Sequence, residues 1–189
     1  MLRLFVAIDL PAPITRALAA HTAPLRVDRA VRWVAPESLH LTLKFLGDTP
    51  EERVPEVIGA LEEATGAHGP LDLVIGGFGT FPHRGPARVL WVGVDGDLDG
   101  LAALAAAVER SLAPLGWPPE ERPFTPHVTL GRARKGSPRR AVHALTDLGE
   151  VGRFTAEALV LFASELKSTG AVHVPLASVP LRVQIPDTR

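Results

Sequence analysis

One short pattern occurs twice in the chain and constrains what it can fold into. Ser38-Leu39-His40-Leu41-Thr42-Leu43-Lys44-Phe45-Leu46-Gly47 reads as a strand, and Pro126-His127-Val128-Thr129-Leu130-Gly131 repeats its centre in the second half. The shared core is His-x-Thr-Leu, with a polar pair alternating against apolar residues. Side chains at i and i+2 share one face of a strand, so His40 and Thr42 point one way while Leu41 and Leu43 point the other. His127 and Thr129 stand opposite Val128 and Leu130 in the same manner. Each copy is a half-buried strand offering an imidazole and a hydroxyl together. Two such strands side by side would make a site with two histidines and two hydroxyls.

Composition narrows the class. A chain of 189 residues can bury a sizeable core, and 46% hydrophobic with 22% charged residues is ordinary for a globular protein. The formal net charge of −1 argues against coating nucleic acid by bulk charge and leaves local basic patches open. Absence of cysteine excludes disulfides, thiol catalysis and cysteine-held metals. Asp9 and Pro11 interrupt the apolar start too soon for a secretion signal, and no stretch reaches the ~18 apolar residues of a membrane span. A cytoplasmic protein, working as a monomer, is the expectation.

In chain order, Leu2 to Asp9 reads as a buried strand and Pro11 to about Ala23 as a helix with Ile14, Ala17 and Leu18 on one face. Val31 to Val34 is a short strand ahead of the first motif. Thr49-Pro50-Glu51-Glu52 predicts a helix start, with Thr49 and Glu52 as a capping box and Val54, Val57, Ile58 and Leu61 as the buried face. Leu71 to Phe78 and Val89 to Val94 read as two strands of a hairpin. Asp97 can cap a long helix carrying Leu101, Leu104, Val108 and Leu112. The run 131–140 is basic, and Ser137-Pro138 predicts a further helix to about Asp147. Phe154 to Leu166 and Val172 to Leu176 close the chain as strands. Hairpin connections favour antiparallel pairing, hence an α+β fold of two pseudo-symmetric lobes with outer helices and the site in the cleft between them. Residues 1–189 are read as one bilobal domain.

Two imidazoles in one pocket can move two protons in one reaction near neutral pH. One takes a proton from an attacking hydroxyl or water while the other gives one to a leaving oxygen, and threonine hydroxyls can hold the oxygens of an anion between them. Phosphodiester cleavage needs these parts and no metal. Zinc fits poorly, because each motif offers one ligand and no His-x-His or His-Glu-x-x-His supplies the rest. The other histidines, His21, His68, His83, His143 and His173, lack such context and are read as surface or loop residues. Arg132 is the nearest arginine for a phosphate. Strict alternation, however, puts it on the core face, so it reaches the anion only if the strand ends or bulges at Gly131. Arg134, Lys135, Arg139 and Arg140 form a solvated basic loop or hold a polyanion. Phe5, Trp33 and Phe45 are candidates for stacking on a base, against the commoner reading of such aromatics as core.

Both motifs, with the flanks Arg3-Leu4-Phe5-Val6-Ala7-Ile8, Phe124-Thr125-Pro126 and the closing Leu161-Phe162-Ala163-Ser164-Glu165-Leu166 and Gly170-Ala171-Val172-His173, resemble the two-histidine (2H) phosphoesterase superfamily. The nearest branch is that of the bacterial and archaeal RNA 2′,3′-cyclic phosphodiesterases, also called 2′–5′ RNA ligases (LigT-like proteins). That resemblance covers nearly the whole chain. It implies a bilobal α+β fold with a pseudo-twofold axis and hydrolysis of an RNA 2′,3′-cyclic phosphate to a 2′-phosphomonoester without a cofactor. It further implies His40 as proton donor to the 3′ oxygen, His127 as the base for water, and Thr42 and Thr129 as phosphate-binding hydroxyls. Weak reverse joining of RNA ends into a 2′–5′ linkage is also implied. Two alternatives stay open: the same chemistry on a small cyclic nucleotide or a 2′–5′ oligonucleotide, and a non-catalytic RNA-end binder.

Overall fold

In chain order the elements are β1 (Leu2–Asp9), α1 (Ala12–Thr22), β2 (Val31–Trp33), β3 (His40–Thr49), α2 (Val54–Thr65) and β4 (Ala67–His68). Then follow β5 (Leu71–Phe81), β6 (Val89–Gly96), α3 (Leu98–Leu112), β7 (His127–Ala133) and α4 (Arg139–Leu145). The chain closes with β8 (Glu150–Ala156), β9 (Ala158–Lys167), β10 (Gly170–Pro180) and β11 (Arg182–Val183). These come from a computed structural model that describes residues 1–27, 29–134, 138–167 and 170–183.

Nine strands form one antiparallel sheet in the order β10-β9-β1-β3-β7-β6-β5-β8, with β2 added against β7. The order is two runs of four strands meeting at β3 and β7. The last strands of the chain return to the first half, because β9 pairs with β1, Phe5 opposite Phe162. The α+β, two-halved antiparallel expectation is borne out.

The seam between halves is a single residue pair, Leu41 opposite Val128. Beyond it β3 and β7 part, and β2 takes up the freed edge of β7, pairing Trp33 with Gly131 and Val31 with Ala133. The cleft is the gap this divergence opens.

Each motif strand also carries a bulge at the same place. On β3 the partners of Val6 and Ala7 are Lys44 and Thr42, leaving Leu43 as the extra residue. On β7 the partners of Leu90 and Trp91 are Gly131 and Thr129, leaving Leu130 as the extra residue. An extra residue flips the alternation beyond it. The burial patterns agree: both strands read half-buried, buried, half-buried, buried, buried, exposed from the histidine onward. Phe45 and Arg132 therefore occupy equivalent positions and turn outward, on the face of the histidines. Lys44 turns inward and is 3% exposed. There it meets Glu109 of α3 and the carbonyl of Pro118, which supply the partners a buried ammonium requires.

The helices cover the other face of the sheet. Leu4, Val6 and Ile8 of β1 look toward them and join the main core with Val57, Leu61, Leu104 and Val108, whereas Phe5 and Ala7 form a small separate cluster with Val160 and Phe162. Asp97 caps α3 as expected, accepting from the Gly100 amide at 2.9 Å. The expected capping box does not form. β3 runs on through Thr49, whose buried hydroxyl donates to the Gly47 carbonyl, and a 3-10 turn over Glu51–Arg53 precedes α2. Pairing of Thr49 with Leu2 holds it in the sheet and away from the helix amides. α4 is shorter than predicted, and Lys135 and Ser137 lie outside the described residues.

Candidate active site

The pairing of Leu41 with Val128 arranges the motifs crosswise. Continuing the antiparallel register one residue each way sets His40 across from Thr129, and Thr42 across from His127. Each half thus supplies an imidazole to one side of the seam and a hydroxyl to the other, as a twofold axis through the pair would produce.

Both rings are held alike. His40 Nδ1 lies 2.8 Å from the Ser38 carbonyl, and His127 Nδ1 lies 2.7 Å from the Thr125 carbonyl. A carbonyl only accepts, so Nδ1 of each ring carries a proton and donates it, which leaves Nε2 as the working nitrogen. Aromatic rings pack each histidine from behind. Phe5 lies 4.7 Å from His40, and Phe81 and Trp91 lie 5.0 and 6.0 Å from His127. Trp91 reaches that place by lying across Gly79, where a Cβ would stand 2.1 Å from the indole.

A cleft of about 650 Å³ runs along the seam, lined by His40, Thr42, Thr129 and Arg132, with Trp33 and Phe45 as apolar walls. The bulge brings Arg132 here, so the condition attached to it in the sequence is met. Arg3, Arg26, Arg32 and Arg134 line the same cleft, and among the described residues no Asp or Glu does. A low-dielectric groove with one sign of charge attracts an anion. Of the three aromatic candidates, Phe5 is core at 2% exposed, Phe45 is 63% exposed, and Trp33 is half-buried. Gly131 lets Trp33 and Val31 approach β7, since a Cβ there would stand 2.6 Å from Val31 Cγ1.

His40 is less basic than a free histidine. Burial lowers its pKa to about 4; the Ser38 carbonyl opposes this, while the neighbouring His173 and His127 add to it. In the free protein at neutral pH it is an uncharged imidazole.

His173 is the residue that sequence reasoning missed. Read as a surface or loop residue, it sits on β10 opposite Ser164 and lines the cleft, 5.0 Å from His40. Its alternation with Val172 and Val174 was visible in the sequence, but nothing local showed that β10 would lie on the motif face. His83, also read as loop, is exposed, and its ring meets those of Phe81 and Trp91. Among the described residues no three His, Cys, Asp or Glu side chains converge as a metal site.

A curled antiparallel sheet carries one His-x-Thr pair from each half at one seam, with His40, Thr42 and Thr129 lining a cationic cleft and His127 on β7 across from Thr42, which defines a two-histidine protein. Residues 14–167 match the model of the 2'-5' RNA ligase superfamily. The RNA 2',3'-cyclic phosphodiesterase of Thermus thermophilus is 34% identical over 188 residues, spanning 96% of this chain and 91% of that protein. The like-named protein of Aquifex aeolicus is 35% identical over 146 residues, spanning 75% and 77% of the two chains. A crystal structure of a Thermus thermophilus protein superposes with a TM-score of 0.82 at 30% identity, covering 97% of this chain and all of that one. Escherichia coli LigT complexed with 3'-AMP gives 0.76 at 28% identity, covering 95% and 98%. The chain belongs to the 2'-5' RNA ligase superfamily, and the resemblance read from its motifs is borne out.

Proposed function

We propose that the chain is an RNA 2′,3′-cyclic phosphodiesterase, as its relatives are named, working by acid–base catalysis between His40 and His127. The observation that carries the mechanism is the crosswise register, His40 across from Thr129 and Thr42 across from His127 at one seam, with each Nδ1 anchored to a backbone carbonyl. The cyclic phosphate lies between the halves, its free oxygens taking hydrogen bonds from Thr42 and Thr129 and the charge of Arg132. His127 Nε2 removes a proton from water as the water oxygen attacks phosphorus in line with the 3′ oxygen. As the P–O3′ bond breaks, the proton on His40 Nε2 passes to the departing 3′ oxygen. The product is a 2′-phosphomonoester and a free 3′ hydroxyl, and the two histidines exchange their protons through solvent before the next turnover. With the 5′ hydroxyl of a second RNA end attacking phosphorus in place of water, the same steps break the P–O3′ bond and join the ends in a 2′–5′ linkage. In this reading the terminal base stacks on Trp33 and the exposed Phe45, which line the cleft. The reading takes residues 1–189 as one bilobal domain, monomeric and cytoplasmic, needing no metal. No helix among the described residues is long and apolar enough to cross a membrane.

A short RNA with a 2′,3′-cyclic end, incubated with the protein and a chelator, tests this. Conversion to a 2′-phosphate end is expected. A strict need for added metal with both histidines as ligands, or a 3′-phosphate product, would overturn the mechanism. Binding without turnover would reduce the chain to an RNA-end binder.

A further inference from the structure

His173 is a cleft histidine that the proposed reaction does not use. It arrives on β10, which the chain adds last to the first half of the main sheet. Its ring stands edge-on to His40, with centroids 5.0 Å and planes 89° apart. Both rings lean on the same Phe5, at 4.9 and 4.7 Å. Nδ1 of His173 is buried with no hydrogen-bond partner, so a proton placed there finds no acceptor. The neutral ring therefore keeps its proton on Nε2, and gaining a second one is costly.

The nearest carboxylate on a paired strand is Asp9 of β1, opposite His40 in the register, exposed and accepting from the Leu10 amide. β3 and β7 bring His40 and His127 to this region, and β1 brings Arg3 along the cleft. β9 places Ser164 opposite His173, and Glu165 beside it turns to the other face. The turn at Pro36–Ser38 contributes Ser38, with Glu37 exposed, while Glu56, Glu62 and Glu63 of α2 are exposed beyond the sheet. Two imidazoles in van der Waals reach, over a shared phenyl ring and facing cations, compete for one proton.

We propose that His173 is a positioning residue for His40: its ring holds the His40 imidazole edge-to-face over Phe5, and its charge state sets how readily His40 takes up a proton. Burial also lowers the proton affinity of His173 itself, so the pair stays uncharged in the free protein at neutral pH. An arriving anion then meets a pair that can take one proton, and His40 receives it.

The test is the titration of His40 followed by NMR in the ligand-free protein, with the signal assigned through His40→Gln. His173→Gln removes the charge and keeps polarity, while His173→Phe keeps the ring. A like charge about 5 Å away in a partly solvated groove is expected to be worth about one pH unit, or about tenfold in proton affinity. The His40 midpoint should rise by that amount in His173→Gln, and in His173→Phe if the glutamine variant does not fold. An unchanged midpoint in a folded variant overturns the proposal. A second readout is the pH profile on cyclic-ended RNA, where the limb assigned to His40 should move with the NMR midpoint; a uniform loss of rate with no displaced limb would leave His173 a packing residue only. This arm rests on the proposed function and the titration does not. A moved midpoint in a protein inactive on that RNA therefore sinks the activity alone, and turnover with a fixed midpoint sinks the coupling alone.

Discussion

Phosphate in the cleft should raise the proton affinity of His40 by one to three powers of ten. Burial first, then the nearby His173 and His127, hold its pKa at about 4 against the pull of the Ser38 carbonyl. At pH 7 only about one free molecule in a thousand carries that proton, yet the proposed general acid must have it. An opposite charge within about 4–6 Å favours the charged form by about 1–3 pKa units, which would bring His40 to about 5–7 with the anion bound. Linkage then requires the anion to bind about 10- to 1000-fold more tightly to the protonated protein, a coupling of about 1.4–4 kcal/mol. The assay is NMR titration of His40 with and without saturating inorganic phosphate, paired with calorimetry in two buffers of different ionisation heat to count protons taken up. A free midpoint near 6.5, or one that phosphate leaves unmoved, would refute the reasoning.

Stability should follow the same residue: the unfolded chain binds more protons than the folded one between pH 6.5 and about 4, so stability is lost as pH falls through that window, by at most about 3 kcal/mol from His40. Urea melts at pH 7 and pH 4 on wild type and His40→Gln measure that share as the difference between the two proteins. On a cyclic phosphate His40→Ala and His127→Ala should each lose about two to four powers of ten, but on a nitrophenyl phosphodiester, whose leaving group needs no proton, only the His40 variant should recover; recovery of the other would reverse the roles. Neutralising Arg132 and Arg134 together should weaken RNA binding and flatten its salt dependence, and an unchanged slope would remove them from the RNA contact. Gly131→Ala should push Val31 and Trp33 off β7 and weaken substrate binding, read as a raised KM. Lys44→Ala strands Glu109 under β3 and should cost about 3 kcal/mol in a denaturant melt.

The sequence alone determined the chemistry-bearing pair of strands, because the period-two alternation that puts His and Thr on one face is local and needs no partner. It likewise determined the apolar faces of α2 and α3 and the Asp97 cap, where the interacting residues lie within a turn or two of each other. The Thr49 cap failed for the opposite reason: a strand partner at the far end of β1 prevailed over a neighbour three residues away.

Tertiary structure decided the rest. A bulge is a mismatch between two strands, so neither His40–Gly47 nor His127–Arg132 could announce by itself that Lys44 would turn inward and Phe45 and Arg132 outward. The register against β1 and β6 made that choice, identically in each half. The opening of the cleft depends on β2 displacing β3 from the edge of β7, a contact across about a hundred residues of chain. His173 depended on the closing hairpin returning to pair with β1. That return carries an ordinary-looking histidine to within 5.0 Å of His40, and only long-range strand pairing, which leaves no local periodicity, could put it there.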